Sequence, residues 1–197
     1  MKIKRFVCGN LEANGYIAWS EGSSDAWVID PGYSHEKYCA FLGDEGLKAA
    51  GILLTHSHSD HSGSAERLKN ELGCQVFMHR LEAPFYSKGW DVLLEGGEML
   101  KLGDDSLEAI HTPGHSAGGL CFYSEKSQLA FTGDTVFNVD LGRTDFPGGS
   151  EEQMRKSIRE VVDSWGNGVT IYPGHGDSCT MAYVRKINEE FNDMLKG

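Results

Sequence analysis

Hydrophobic positions along this chain come in short runs separated by polar turns. Residues 2–8, 15–20 and 26–30 are rich in aromatic and β-branched side chains over strand lengths, with Glu21-Gly22-Ser23-Ser24-Asp25 as the turn between the last two. They predict an antiparallel opening sheet. Asp30-Pro31-Gly32 then stops the third run, and Tyr38, Phe41 and Leu42 recur at helical spacing within 34–46, before Gly46. Residues 50–54 are apolar without alternation, as in a strand covered on both faces. Ala65, Leu68 and Leu72 follow at i, i+3 and i+7, with Gly73 at the C-terminal cap position. A further strand over 75–78 precedes an irregular, glycine-containing stretch over 80–97.

The second half repeats the theme. Strands are predicted over 98–102, 106–111, 119–124, 128–132 and 169–172. Ser150-Glu151-Glu152-Gln153 has the form of a capping box, opening a helix with Met154, Ile158, Val161, Val162 and Trp165 on one face. A last helix, about 179–195, carries Val184, Ile187, Phe191 and Met194. Pro-Gly pairs at 31, 113 and 173 are too common a turn to establish a repeat.

Composition narrows the classes. A chain of 197 residues with 40% hydrophobic content can bury a core. No run approaches the roughly 18 apolar residues of a membrane span, and the basic start Met1 to Arg5 is followed by too short and polar a stretch for a signal peptide. A soluble, cytoplasmic protein is expected. The five cysteines are odd in number and contain no Cys-x-x-Cys pair, which predicts reduced, mostly buried thiols and no thiolate zinc site. A net charge of -11 excludes broad nucleic-acid binding and means that an anionic substrate needs a local basic patch.

The candidate chemistry is concentrated in His56-Ser57-His58-Ser59-Asp60-His61, reached directly from the 50–54 run. In extended chain, positions i and i+2 point to one side, so His56 and His58 can chelate one ion, while Asp60 and His61 follow the turn and aim at a neighbouring position. Two complete sites need further donors. His115, Asp134 and His175 each lie just past a predicted strand end and are the candidates. Alone, either histidine reads equally well as a turn residue, and Asp134 as a turn or helix cap. His35, His79 and His111 lack such company and are read as surface or packing residues. Asp30 is read as an orienting partner of a ligand imidazole or as a turn cap.

Taken in order, Asp30-Pro31-Gly32, His56-x-His58-x-Asp60-His61, His115, Asp134 and His175 resemble the metallo-β-lactamase superfamily over nearly the whole chain. The resemblance implies one α/β domain over 1–197, a four-layer αββα sandwich with the site at the edge of two packed sheets. It implies one metal on His56, His58 and His115, a second on Asp60, His61 and His175, and Asp134 bridging. Zinc is the first expectation, with iron or manganese also suited to imidazole and carboxylate donors.

Within the superfamily, Asp134 and Gly142-Arg143-Thr144-Asp145-Phe146-Pro147 resemble short glyoxalase II-like hydrolases, which cleave hydroxyacyl-glutathione thioesters. The chain departs from full-length glyoxalase II by ending soon after His175 and by lacking a tyrosine in this stretch. The implied partner is a small thioester, with neither nucleic acid nor membrane. Asp60 is the expected catalytic carboxylate, orienting an attacking water. Arg143 and Phe146 are candidate substrate contacts; the rival role of Arg143 is an ion pair with Asp145 or Asp140. Other readings are a mononuclear iron persulfide dioxygenase of the same superfamily, a lactonase or β-lactamase, and a purely structural metal protein.

Overall fold

Alternation of apolar side chains along the strands creates three separate cores, and these stack the chain into four layers. The computed structural model describes residues 1–196. The first sheet runs in chain order through β1 (Lys2–Cys8), β2 (Ala13–Trp19), β3 (Asp25–Ile29), β4 (Lys48–Leu53), β5 (Val76–His79) and β6 (Val92–Leu94). Its first three strands pair antiparallel and the rest parallel. The second sheet has the order β12-β11-β10-β9-β8-β7, with β7 (Met99–Leu102), β8 (Asp105–His111), β9 (Leu120–Ser124), β10 (Leu129–Gly133), β11 (Thr170–Pro173) and β12 (Cys179–Thr180). Only β10 and β11 pair in parallel there.

Period-two alternation decides which core each residue joins. Tyr16, Ala18, Trp27, Ile29 and Leu53 pack between the sheets against Leu107, Phe122 and Phe131. Their neighbours Ile17, Ala26, Val28 and Ile52 turn outward to meet Tyr38 and Leu42 of α1 (His35–Asp44) and Leu68 of α3 (Ala65–Leu72). On the far side, Ala130 and Ile171 meet Met154 and Ile158 of α4 (Glu151–Glu160), Val184 of α5 (Met181–Ile187) and Phe191 of α6 (Glu189–Leu195). The order is helix, sheet, sheet, helix, the expected αββα sandwich. The short α2 (Ser59–Ser62) lies between β4 and α3.

Two expectations need correction. The 80–97 stretch is ordered, with a 3-10 helix over Arg80–Phe85 and β6 completing the first sheet. The single helix expected over about 179–195 is two. Asn188 breaks it: the buried side chain caps α6 by accepting from Phe191 N at 2.8 Å and donates to the carbonyls of Phe137 and Asp140. A residue fitting the helical spacing is thus diverted to hold a distant loop. The helix opening at Ser150 is also shorter than expected, giving way after Glu160 to a 3-10 turn over Val162–Ser164. All five cysteines are free; Cys8 and Cys121 are buried and three are half-buried. Among the described residues no helix is long and apolar enough to cross a membrane.

Candidate metal centre

The end of β4 places the histidine cluster at one edge of the sandwich. His56 and His58 leave the strand in extended chain, and α2 then carries Asp60 and His61. Ser62 Oγ donates to the carbonyls of Ser57 and His58, closing the turn. Gly32 lies against this turn so closely that a Cβ there would collide with the Asp60 carbonyl. That contact is a physical reason for glycine after Asp30-Pro31.

Asp134 follows β10, His175 follows β11, and His115 lies in the loop from β8 to β9. Two sets of donor atoms converge: His56, His58 and His115 in one, Asp60, His61 and His175 in the other, the atoms of each within 4.8 Å of one another. His115 Nε2 lies 2.9 Å from His58 Nδ1, and His61 Nε2 lies 3.2 Å from His175 Nε2. Asp134 stands between the sets. Its Oδ1 is 3.4 Å from His61 Nε2, and its Oδ2 is 3.5 Å from His115 Nε2 and 3.7 Å from His175 Nε2.

The outer nitrogens reveal how the rings are oriented. His115 Nδ1 donates to the Arg143 carbonyl at 2.7 Å and His175 Nδ1 to the Leu11 carbonyl at 3.1 Å, leaving each Nε2 lone pair turned inward. For His56 the assignment follows from counting protons. The Thr55 hydroxyl has one proton and donates it to Asp30 Oδ2, so at 3.0 Å it must accept from His56 Nδ1. Asp30 also accepts from Thr55 N and faces His61 Nδ1 at 3.5 Å. Asp30, His56 and His61 also cluster as a third possible set. Because the Asp30 oxygens are already engaged by Thr55, we assign Asp30 to orienting two imidazoles.

Electrostatics suit a cation. Burial disfavours charge on His56, and its imidazole neighbours lower its pKa further. Burial also opposes charge on His61, but the Asp134, Asp30 and Asp60 carboxylates outweigh it and raise its pKa to about 9. Burial likewise resists ionisation of Asp60, yet the His175 hydrogen bond and the His61 charge hold its carboxyl down to about 2. The same field that draws a proton draws a metal ion. Two inward-facing atoms, His56 Nε2 and Asp134 Oδ1, are buried without any hydrogen-bond partner, an unfavourable state that a bound cation relieves. The donor set therefore fits metal, and its imidazole and carboxylate chemistry suits zinc, iron or manganese.

The cluster floors a groove of about 860 Å³ walled by Leu11, Phe137, Val139, Leu141, Arg143 and Phe146. Phe146 sets its ring edge-on to His58 and His115. Arg143 makes two 2.6 Å bonds to Asp145, the local ion pair, and lies 4.2 Å over the Phe146 ring. His79 and His111 stack on each other beyond the cluster, and His35 pairs with Glu36 and Glu71.

Sequence reading missed Glu82. Only 1% exposed, it accepts from Ser57 N, Ser57 Oγ and Gly118 N, clamping the His56–His58 segment to the loop that carries His115. No motif marks it; only a buried carboxylate facing three donors does.

Comparison with known proteins places this geometry. The model of the metallo-beta-lactamase superfamily matches residues 9–178. The chain belongs to this superfamily. Among its members, the probable metallo-hydrolase YqgX of Bacillus subtilis is 31% identical over 209 residues, covering 98% of each chain. The hydroxyacylglutathione hydrolase GloC of Haemophilus influenzae is 30% identical over 210 residues, covering 98% of this chain and 99% of the relative. The solved structure of TTHA1623 in a di-iron-bound form superposes with a TM-score of 0.84 at 29% identity, covering 94% of this chain and 98% of that one. Membership in the superfamily makes a metal-dependent enzyme the supported class.

Proposed function

We propose that this chain is a dinuclear metal hydrolase that cleaves thioesters, of the hydroxyacyl-glutathione type or similar. The observation that carries the reading is Asp134, whose carboxylate lies between the two donor sets, Oδ1 near His61 and Oδ2 near both His115 and His175, on the floor of an open groove. Two divalent cations held by His56, His58, His115 and by Asp60, His61, His175, with Asp134 shared, would supply Lewis acidity and an acidified water.

The chain's own residues do the rest. Asp60 lines the groove and stays ionised because its carboxyl is held near about 2, so it accepts a hydrogen bond from the attacking water and orients it. The Arg143 and Leu11 carbonyls fix the tautomers of His115 and His175. Phe146 covers the His58 and His115 rings and keeps bulk water off that side. A thiolate leaves readily, its parent pKa being about 8.5, so no dedicated general acid is needed. The name of the Haemophilus influenzae relative supports a thioester substrate.

The test is a thioester-hydrolysis screen led by lactoyl-glutathione, on protein of measured metal content, with an oxygen electrode run on glutathione persulfide. The expected result is thioester turnover with two metals per chain. Silence with every thioester removes the proposal, and one iron per chain with oxygen uptake replaces it by the dioxygenase.

A further inference from the structure

Two grooves meet at the metal centre, and apart from the cations that the donor sets would hold neither offers a lysine or arginine without a partner. The larger is the 860 Å³ groove already described, in which Arg143 is the sole lysine or arginine of the lining. Its guanidinium is engaged by Asp145 on two nitrogens and by the Phe146 face. Across His58, Ser59 and Pro147, which line both, lies a second groove of about 330 Å³. Its other lining residues are Ser57, Glu82, Phe85, Ser116 and Ala117, with no cation among them. The Glu82 carboxylate is committed to Ser57 and Gly118.

The walls differ in kind. Leu11 and Val139, both in the lining of the larger groove, are 66% and 48% exposed and belong to none of the three cores. Both are held in place from behind. The Leu11 carbonyl accepts from His175, and the loop bearing Val139 is tied down by Asn188 on Phe137 and Asp140 and by Glu190 on Leu141 N. An apolar rim held this firmly next to the reacting centre is built to receive apolar substrate. A thioester has two arms diverging from its carbonyl, and two grooves diverge from His58.

We propose that the substrate pairs an apolar acyl arm, laid along the Leu11 and Val139 walls, with an uncharged thiol carrier that passes over Pro147 toward Phe85. This rests on the thioester reading and narrows it, favouring a neutral carrier over the glutathione carrier of the hydroxyacyl-glutathione type. Anionic carriers such as glutathione find no unpartnered lysine or arginine in either groove and meet a protein of net charge -11.

The experiment compares acetyl and octanoyl thioesters of N-acetylcysteamine and of glutathione on the metal-loaded protein. Each buried methylene is worth about fourfold, so the partly buried octanoyl arm should raise kcat/KM at least about tenfold over acetyl. N-acetylcysteamine esters should exceed the matching glutathione esters. Val139→Asp should bring the octanoyl-to-acetyl ratio toward one. Calorimetry with the non-hydrolysable S-octyl thioethers of both thiols reads the grooves without chemistry, and the neutral thioether should bind more tightly. Turnover that ignores chain length, or prefers glutathione esters, overturns this inference and leaves the thioesterase reading intact. If no thioester turns over, that reading fails, and the thioether titration alone decides the grooves: equal binding, or tighter binding of the glutathione thioether, overturns the inference.

Discussion

On the groove floor, His56, His115 and His175 bond through Nδ1 to Thr55, Arg143 and Leu11, and His61 faces Asp30. On the rim, Arg143 holds Asp145 and the Phe146 face, all within three positions of sequence and all exposed, and Phe146 alone reaches the floor, edge-on to His58 and His115. The floor is more fully determined: moving His115 or His175 breaks a bond to a distant segment, and His56 is tied through Thr55 to Asp30. The Arg143–Asp145 pair on the rim is under-determined, since its charges are screened by water and its contacts are local, unlike the Leu11 and Val139 walls, whose backbone is tied down from behind. Geometry is therefore fixed at the donor atoms and can vary at little cost around Arg143.

The comparison is attacked hardest at its centre. Asp134→Asn removes the charge shared by both donor sets, and thioester turnover should fall by more than about 100-fold, with fewer than two metals per chain by elemental analysis. Retained turnover and two metals would mean the floor does not depend on this carboxylate. Next comes Gly32→Ala, whose Cβ meets the Asp60 carbonyl. A cost of about 3 kcal/mol by urea unfolding is expected, because backbone rather than a flexible side chain must yield.

Glu82→Gln keeps the volume but loses the charge that accepts from Ser57 and Gly118, and turns an amide donor toward one of those N–H or O–H groups. About 2 kcal/mol of stability should be lost. A change below about 0.5 kcal/mol would show that the clamp contributes nothing net. The smallest effect belongs to the rim. Arg143→Ala should leave the thermal midpoint unchanged, since its ion pair is exposed, and alter kcat/KM for different thioesters unequally. A lowered midpoint would move Arg143 into the fixed part of the molecule.

Much of the fold is legible in the sequence. The aromatic and β-branched runs at 15–20 and 26–30 and the unbroken apolar run at 50–54 correspond to β2, β3 and β4, and Leu68 with Leu72 to α3. Strand ends preceding His56, Asp134 and His175 could be located because strands and their turns are local patterns. The last helix was misjudged because periodicity counts apolar positions and says nothing of where Asn188 sends its amide. Arg143 had two readings, and the structure realises the ion pair with Asp145, a partner two positions away.

The sequence by itself determined which residues could bind metal, that they follow strand ends, and the resemblance that implied four layers. These rest on residue chemistry and on spacing along a chain of fixed geometry. Tertiary structure alone decided which nitrogen of each imidazole turns inward, that Asp134 lies between the two donor sets, and that Glu82 and Asn188 brace the loops around them. All but the His56 orientation, which Thr55 sets and Asp30 directs, depend directly on a partner tens of residues away, brought into reach only by folding. Local patterns carry no record of such partners, because a buried hydrogen bond is specified by two surroundings that meet only on folding.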